Sequence, residues 1–232
     1  MFKQRSYEKE FLDKPDIQKD LLFQNLKELD IINKYLGGYA ISIKGLKKVM
    51  TDKSKIYKVF DIGCGGGDSL KSIAKWTHDK QYKIHLAGID LKNDCIDYAQ
   101  NNCKEFPEIS FYCDDFRNVY SKENDIDIVH ASLFCHHFTE DEIIGFIKFC
   151  SNNKTVFIIN DLERNPVAYY AIKFLTFFFS KSPLVKNDAP LSVWRGFKKK
   201  EWHTILHNAG IKNYLIRNCL AFRHLVIVYP NE

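Results

Sequence analysis

The run Asp61-Ile62-Gly63-Cys64-Gly65-Gly66-Gly67-Asp68 sets four glycines between two carboxylates. Glycines at this density let backbone N–H groups approach a ligand closely and let the chain turn at positive φ without a Cβ clash. A dinucleotide-binding loop would read G-x-G-x-x-G, and Asp68 stands where its third glycine would fall, a poor neighbour for a pyrophosphate. Asp61, just before the loop, suits a ligand carrying positive charge, such as an amino-acid head group and a sulfonium. About 20 residues further on, Gly88-Ile89-Asp90-Leu91 brings a carboxylate able to accept from both hydroxyls of a ribose. Cys113-Asp114-Asp115-Phe116 offers acceptors for an adenine amino group and an aromatic ring beside it, although turn chemistry alone also places Asp at such points. Together these features disfavour NAD and favour S-adenosylmethionine.

A second group of residues could act on an acceptor. In Ala131-Ser132-Leu133-Phe134-Cys135-His136-His137-Phe138 two imidazoles follow one another. Imidazole titrates near neutrality and can take a proton from a hydroxyl nucleophile. His137 is the first candidate for that base and His136 the second; the competing reading is that either ring caps or packs against the next helix. Arg164 and Arg195 carry guanidinium forks that fit an acidic or carbonyl oxygen of a substrate, with Tyr169 in the apolar stretch between them, while pairing with nearby acids is the alternative. Arg5 and Tyr7 stand in a leader that either folds over the acceptor or stays mobile.

The elements that must position these groups follow from periodicity. Leu22, Leu26, Leu29 and Ile32 give residues 16–36 a helical spacing closed by Gly37 and Gly38. From Ile56 short β-rich runs alternate with helix-length stretches, the pattern of parallel βαβ units. Strands are expected at 56–62, up to Asp90, and at 109–113, 126–131 and 155–160; helices at 69–76 and 92–103, and another opened by a Thr139/Glu142 capping box. Residues 167–179 are apolar nearly all round with Lys173 as their single charge, too short for the roughly 20 residues that span a bilayer. They read as a buried helix, a lid over a lipophilic substrate, or an interfacial segment. A helix stopped by Gly210 and two final strands at 211–216 and 222–229 predict an antiparallel edge hairpin.

The chain's 232 residues, 45% hydrophobic and 27% charged, suit one α/β domain rather than a disordered chain. The net charge of +5 is dispersed along the chain, and the densest basic run, Lys198-Lys199-Lys200, reads as a solvated first helical turn, so nucleic acid is disfavoured as a partner. Seven cysteines without a C-x-x-C pair predict neither a disulfide framework nor a metal site. With no apolar signal at the N-terminus, a reducing cytoplasm is the expected setting.

Over residues 56–161 the order and spacing of these motifs resemble the class I S-adenosylmethionine-dependent methyltransferase family, with its D-x-G-x-G-x-G loop and its acids after the second and third strands. The resemblance implies a Rossmann-like α/β fold with a mostly parallel seven-stranded sheet. It implies that Asp61, Gly63, Cys64, Gly65 and Gly67 surround the methionine moiety, that Asp90 and Leu91 hold the ribose, and that Asp114, Asp115 and Phe116 contact the adenine, with Ser132 and Leu133 nearby. It further implies a single domain over 1–232: a helical cap (1–50), a cofactor-binding core (56–161), a helical insertion or substrate lid (162–197) and a C-terminal helix and strands (198–232). The His pair looks like the small-molecule branch, similar to ubiquinone and menaquinone biosynthesis methyltransferases, and the 160–197 segment resembles bacterial enzymes for polyketide or quinone-like aromatics. The acid-Pro-Pro-aromatic motif of amino-methylating nucleic acid enzymes is missing. Cys135 lacks the preceding proline of a cytosine-C5 nucleophile. A small hydrophobic phenol, quinol or polyketide-like acceptor is therefore the expectation. An rRNA or tRNA methyltransferase, an NAD-type oxidoreductase and a cofactor-binding protein without turnover are the alternatives.

Overall fold

The computed structural model describes every residue except 1, 15, 124 and 232. Seven strands form: β1 (Ile56–Ile62), β2 (Lys83–Asp90), β3 (Ile109–Cys113), β4 (Ile128–Ser132), β5 (Val156–Leu162), β6 (Tyr214–Cys219) and β7 (Arg223–Val228). They build one sheet in the order β3-β2-β1-β4-β5-β7-β6, in which β1 to β5 pair in parallel and β7 runs antiparallel to both its neighbours. This is the expected Rossmann-like architecture with its C-terminal hairpin.

Side chains alternate across each strand, so a sheet covered on both faces needs apolar residues at nearly every position. Tyr57 and Val59 of β1 pack towards α2 (Gly38–Val49), α3 (Asp68–Lys80) and α4 (Asn93–Asn102). Phe60 and Ile62 pack towards α5 (Phe116–Lys122), α6 (Glu140–Asn152) and α9 (Lys199–Asn208), where Trp202, Ile205 and Leu206 are wholly buried. The order reverses between β1 and β4, so the loops leaving these strands part and open a crevice at their carboxyl ends. Above it lie α1 (Lys19–Tyr35), α7 (Pro166–Phe179) and α8 (Pro183–Arg195).

Several boundaries differ from expectation for local reasons. Gly37 is left-handed at φ 72, but Gly38 begins α2, where a Cβ would lie 2.7 Å from the Asn33 side chain. The strand expected from Ile211 starts at Tyr214, because the Ile211 N–H is spent closing α9 on the Leu206 carbonyl. Lys199 and Lys200 do form the exposed first turn of α9. Helix α7 corrects the buried-helix reading: Ala168, Ile172 and Thr176 face inward, whereas Val167, Tyr170, Phe174, Phe177, Phe178 and Phe179 are 58–78% exposed. No helix among the described residues is long and apolar enough to cross a membrane.

Candidate active site

The glycine loop leaves β1 with Gly63, Gly65 and Gly67 at φ 67, 52 and 75, and the N–H groups of Gly63 and Cys64 both donate to the Ile89 carbonyl at the end of β2. The loop is thereby tied to the strand that ends in Asp90. Asp90 Oδ2 accepts from the Gly65 N–H (3.0 Å) and Oδ1 from the Lys92 N–H (3.0 Å). Burial pushes this carboxyl up. A Cβ on Gly63 would meet the Phe134 ring at 2.1 Å, whereas one on Gly65 would meet nothing closer than Leu26 at 3.6 Å.

The loop forms one end of a cleft of about 780 Å³ that the strand-end residues share. Asp90 and Leu91 line its edge, Asp114, Asp115 and Phe116 its far wall, and Ser132 and Leu133 its floor with Cys64 and Asp61. Gly67 does not reach the cleft; its missing Cβ makes room for Cys103, Ala99 and Phe111 behind the loop. Asp61 sits 2% exposed with one oxygen bound to His130 Nδ1 (2.7 Å), and His130 Nε2 bonds Ser42 of α2 (2.8 Å), so part of its function is to join β1, β4 and α2 beneath the site. Asp115 caps α5 on the Arg117 N–H and binds the Arg117 side chain, as turn chemistry allowed. Phe116 packs edge-on against Phe146 and Phe149.

The loop end of the cleft is anionic. Asp30, Asp61 and Asp68 line it, and burial followed by the Asp30 charge pushes the Asp68 carboxyl up to about 7. Burial and the Asp30 charge disfavour its ionised form, and an ammonium or sulfonium placed beside it would restore that form. Together with a ribose-height carboxylate on β2 and an apolar ring on the far wall, the donor set fits S-adenosylmethionine.

The His pair lies after β4 in a single 3₁₀ turn, and the two rings occupy different settings. His136 is 2% exposed, and its Nδ1 and its N–H both bind Asp161 at the end of β5 (2.7 and 2.8 Å). Burial alone would lower its pKa, but the Asp161 charge and hydrogen bond, with Glu10, outweigh that and push it up to about 9. A ring already protonated at neutrality is not a base, which corrects that expectation for His136. His137 faces the cleft, with Nδ1 3.0 Å from Asp13 Oδ1. Leu133, between the strand and this turn, holds φ at 54, a left-handed conformation that a leucine adopts only under constraint from its surroundings.

Glu10 and Asp13 come from the leader, which is fastened down rather than mobile. Arg5 donates to the carbonyls of His136, Phe138 and Arg195 and stacks over Phe197 at 3.6 Å, while Tyr7 is exposed. Arg195 donates to the carbonyls of His136, His137 and Glu8 and pairs with Asp13 (3.0 Å). Arg164 is 1% exposed and bound to the Gly196 and Phe2 carbonyls and the Glu201 carboxylate. The three expected substrate contacts are corrected accordingly: both arginine forks are filled by the protein itself, and Tyr169 packs against Phe2, Tyr170 and Trp194 away from the cleft.

A second cavity, of about 240 Å³, lies between α1, α7 and α8, walled by apolar side chains including Ile32, Leu36, Ile172 and Leu175. It shares Leu12, Leu29, Leu133 and His137 with the cleft, so among the described residues His137 is the one titratable side chain lining both. Glu10 and His136 stand at its polar end.

Residues 59–152 match the family described as the methyltransferase domain. Over these residues the chain is similar to the class I S-adenosylmethionine-dependent methyltransferases. The ubiquinone biosynthesis O-methyltransferase of Coxiella burnetii is 25% identical over 70% of this chain and 65% of its own length. The mitochondrial ubiquinone biosynthesis O-methyltransferase of Saccharomyces cerevisiae is 26% identical over 53% of this chain and 39% of its own. The chain thus spans less than two thirds of the length of these curated relatives. Among solved structures, the plantazolicin methyltransferase BamL, in complex with a triazolic desmethylPZN analog and SAH, superposes with a TM-score of 0.63 at 16% identity, over 93% of this chain and 95% of that one.

Proposed function

We propose that this methyltransferase fold transfers a methyl group to an oxygen of a small lipophilic acceptor, a phenol, quinol or polyketide-like aromatic, bound in the cavity beneath α7. The observation that carries this reading is the junction: an apolar cavity meets the anionic, glycine-walled cleft at His137. When bound, S-adenosylmethionine supplies a sulfonium methyl that passes in line to a nucleophile and leaves S-adenosylhomocysteine. The task of the chain is to hold the partners collinear and dry. In this reading the glycine loop with Asp61 and Asp68 receives the methionine moiety, Asp90 the ribose hydroxyls, and the Asp114–Phe116 wall the adenine. His137, oriented by Asp13, takes the acceptor proton through Nε2, the nitrogen that Asp13 leaves free.

The outer face of α7 supports a lipophilic acceptor independently. Its exposed Phe179 borders a groove against Ile31 and Tyr35, and this groove shares Ile32, Leu36, Ile172 and Leu175 with the cavity. An interfacial contact through residues 167–179 would place the mouth of the cavity against the apolar phase in which such acceptors dissolve.

The test is S-adenosylhomocysteine formation with a panel of alkylphenols and quinols by the wild type and by Ala189→Phe, which fills the cavity from α8. The reading expects turnover by the wild type and at least a tenfold rise in acceptor KM in the variant, with cofactor affinity unchanged. Turnover that Ala189→Phe leaves untouched would move the acceptor elsewhere.

A further inference from the structure

We infer that Glu10, His136 and His137 form a binding site for one divalent transition-metal ion at the polar end of the acceptor cavity. Cysteine spacing gave no hint of it, because the site uses no cysteine and one of its ligands comes from the leader. One nitrogen or oxygen of each of the three side chains lies within 4.8 Å of the others. His136 Nε2 is 3.5 Å from Glu10 Oε1, and His137 Nε2 is 3.9 Å from Glu10 Oε2. Ligand atoms at the corners of a tetrahedron with bonds of about 2.1 Å stand roughly 3.4 Å apart, so a small inward movement closes the set on an ion.

Two independent features point the same way. His136 Nε2 is buried without a hydrogen-bond partner and is aimed at Glu10. That nitrogen faces the Glu10 carboxylate at 3.5 Å without a hydrogen bond in good geometry, and an ion bound between them would replace the proton it carries. The other nitrogen of each ring faces a carboxylate: His136 Nδ1 is hydrogen-bonded to Asp161 (2.7 Å), and His137 Nδ1 stands 3.0 Å from Asp13 Oδ1 outside hydrogen-bond geometry. Carboxylate–histidine pairs of this kind fix ring orientation and raise ligand basicity at metal sites. Ser192 donates to Glu10 Oε1 (2.8 Å) and steadies the third ligand. Arg195 Nη1 comes within 3.9 Å of the same carboxylate oxygen, but its shorter contact is to Asp13.

Two imidazoles and one carboxylate favour Zn²⁺ or Mn²⁺ over the all-oxygen shells of Mg²⁺ and Ca²⁺. Three protein ligands would leave room in the ion's shell for a hydroxyl oxygen of an acceptor in the adjoining cavity. With an ion bound, His137 would be a ligand, and the hydroxyl activation that the metal-free reading gives to its imidazole would be supplied by the ion as a Lewis acid. The inference deepens the methyl-transfer reading of this end of the cavity, yet its test needs neither cofactor nor acceptor, so the two fail separately.

Mn²⁺ titrated into metal-free protein, followed by the loss of the free-ion electron paramagnetic resonance signal, gives the stoichiometry directly. Mn²⁺ also avoids the exposed thiol of Cys113, which would compete for Zn²⁺. One site per chain is expected, at least tenfold weaker in Glu10→Gln and in His137→Gln and weakened about tenfold in Asp13→Asn. Circular dichroism establishes that each variant is folded, and the thermal midpoint should rise with Mn²⁺ in the wild type and not in Glu10→Gln. No binding by the folded wild type up to millimolar Mn²⁺, or equal binding by folded Glu10→Gln and His137→Gln, would overturn the assignment.

Discussion

Alanine at three glycines separates the loop's fold from its ligand-binding surface. At Gly63 the backbone is left-handed (φ 67) and a Cβ would lie 2.1 Å from the Phe134 ring. The left-handed conformation costs an L-residue roughly 1–2 kcal/mol and the forced movement of a packed ring about 1–3 kcal/mol more, so Gly63→Ala should destabilise by about 2–5 kcal/mol. Gly65 has the same backbone hand (φ 52) with ordinary contact at 3.6 Å, which leaves only the backbone cost of about 1–2 kcal/mol. Its new methyl group would stand at the wall of the cleft, so the larger effect is expected on cofactor affinity. Gly145, exposed in the middle of α6 with nothing within 4 Å of a Cβ, should gain about 0.5–1 kcal/mol from alanine. Urea unfolding followed by circular dichroism gives the three values and calorimetry the cofactor affinities. The reasoning is refuted if Gly63→Ala and Gly65→Ala cost the same, because the Phe134 ring would then not be held where it stands.

Asp90→Ala should weaken S-adenosylmethionine binding by about 1–3 kcal/mol in calorimetry, the cost of leaving the ribose hydroxyls and the Gly65 and Lys92 N–H groups unpaired. His137→Ala should lower kcat for a hydroxyl acceptor by roughly 10²–10⁴ with cofactor affinity unchanged; full kcat in steady-state assays would remove His137 from the reaction. Because the Asp68 carboxyl is raised to about 7, the native state keeps a proton that the unfolded chain has already released above about pH 4. The stability this gives is full below about pH 4 and lost as pH rises through 7, a fall of about 1–2 kcal/mol after discounting for solvent screening; urea midpoints should show it in the wild type and a flatter profile in Asp68→Asn. Arg164→Met should cost about 1–3 kcal/mol by leaving the Gly196 and Phe2 carbonyls unpaired, and acceptor KM measured at low temperature should be unaltered.

The cleft was legible because its parts are local. A glycine loop and three strand-end acids follow strands whose apolar runs are unmistakable, and the parallel order brings those ends together. Helices α2 and α5 escaped notice for equally local reasons: α2 starts on a glycine expected to terminate α1, and α5 is a seven-residue helix whose cap, Asp115, was read as a ligand contact. The acceptor end was illegible where it depends on the leader crossing the whole chain. Glu10 and Asp13 meet His136 and His137 more than 120 residues away, and the only local trace is their i, i+3 spacing, which also closes a turn through Asp13 Oδ2 and the Glu10 N–H. Arg164 and Arg195 looked like substrate hooks because a guanidinium has five donors; the carbonyls that fill them belong to loops whose proximity no spacing reveals.

The most direct test of the central claim is calorimetric titration of the purified, folded protein with S-adenosylmethionine and S-adenosylhomocysteine, beside Asp90→Ala. The account predicts one micromolar site per chain for both ligands, weakened at least about fivefold in the variant. Failure of the folded wild type to bind either ligand at millimolar concentration would contradict it.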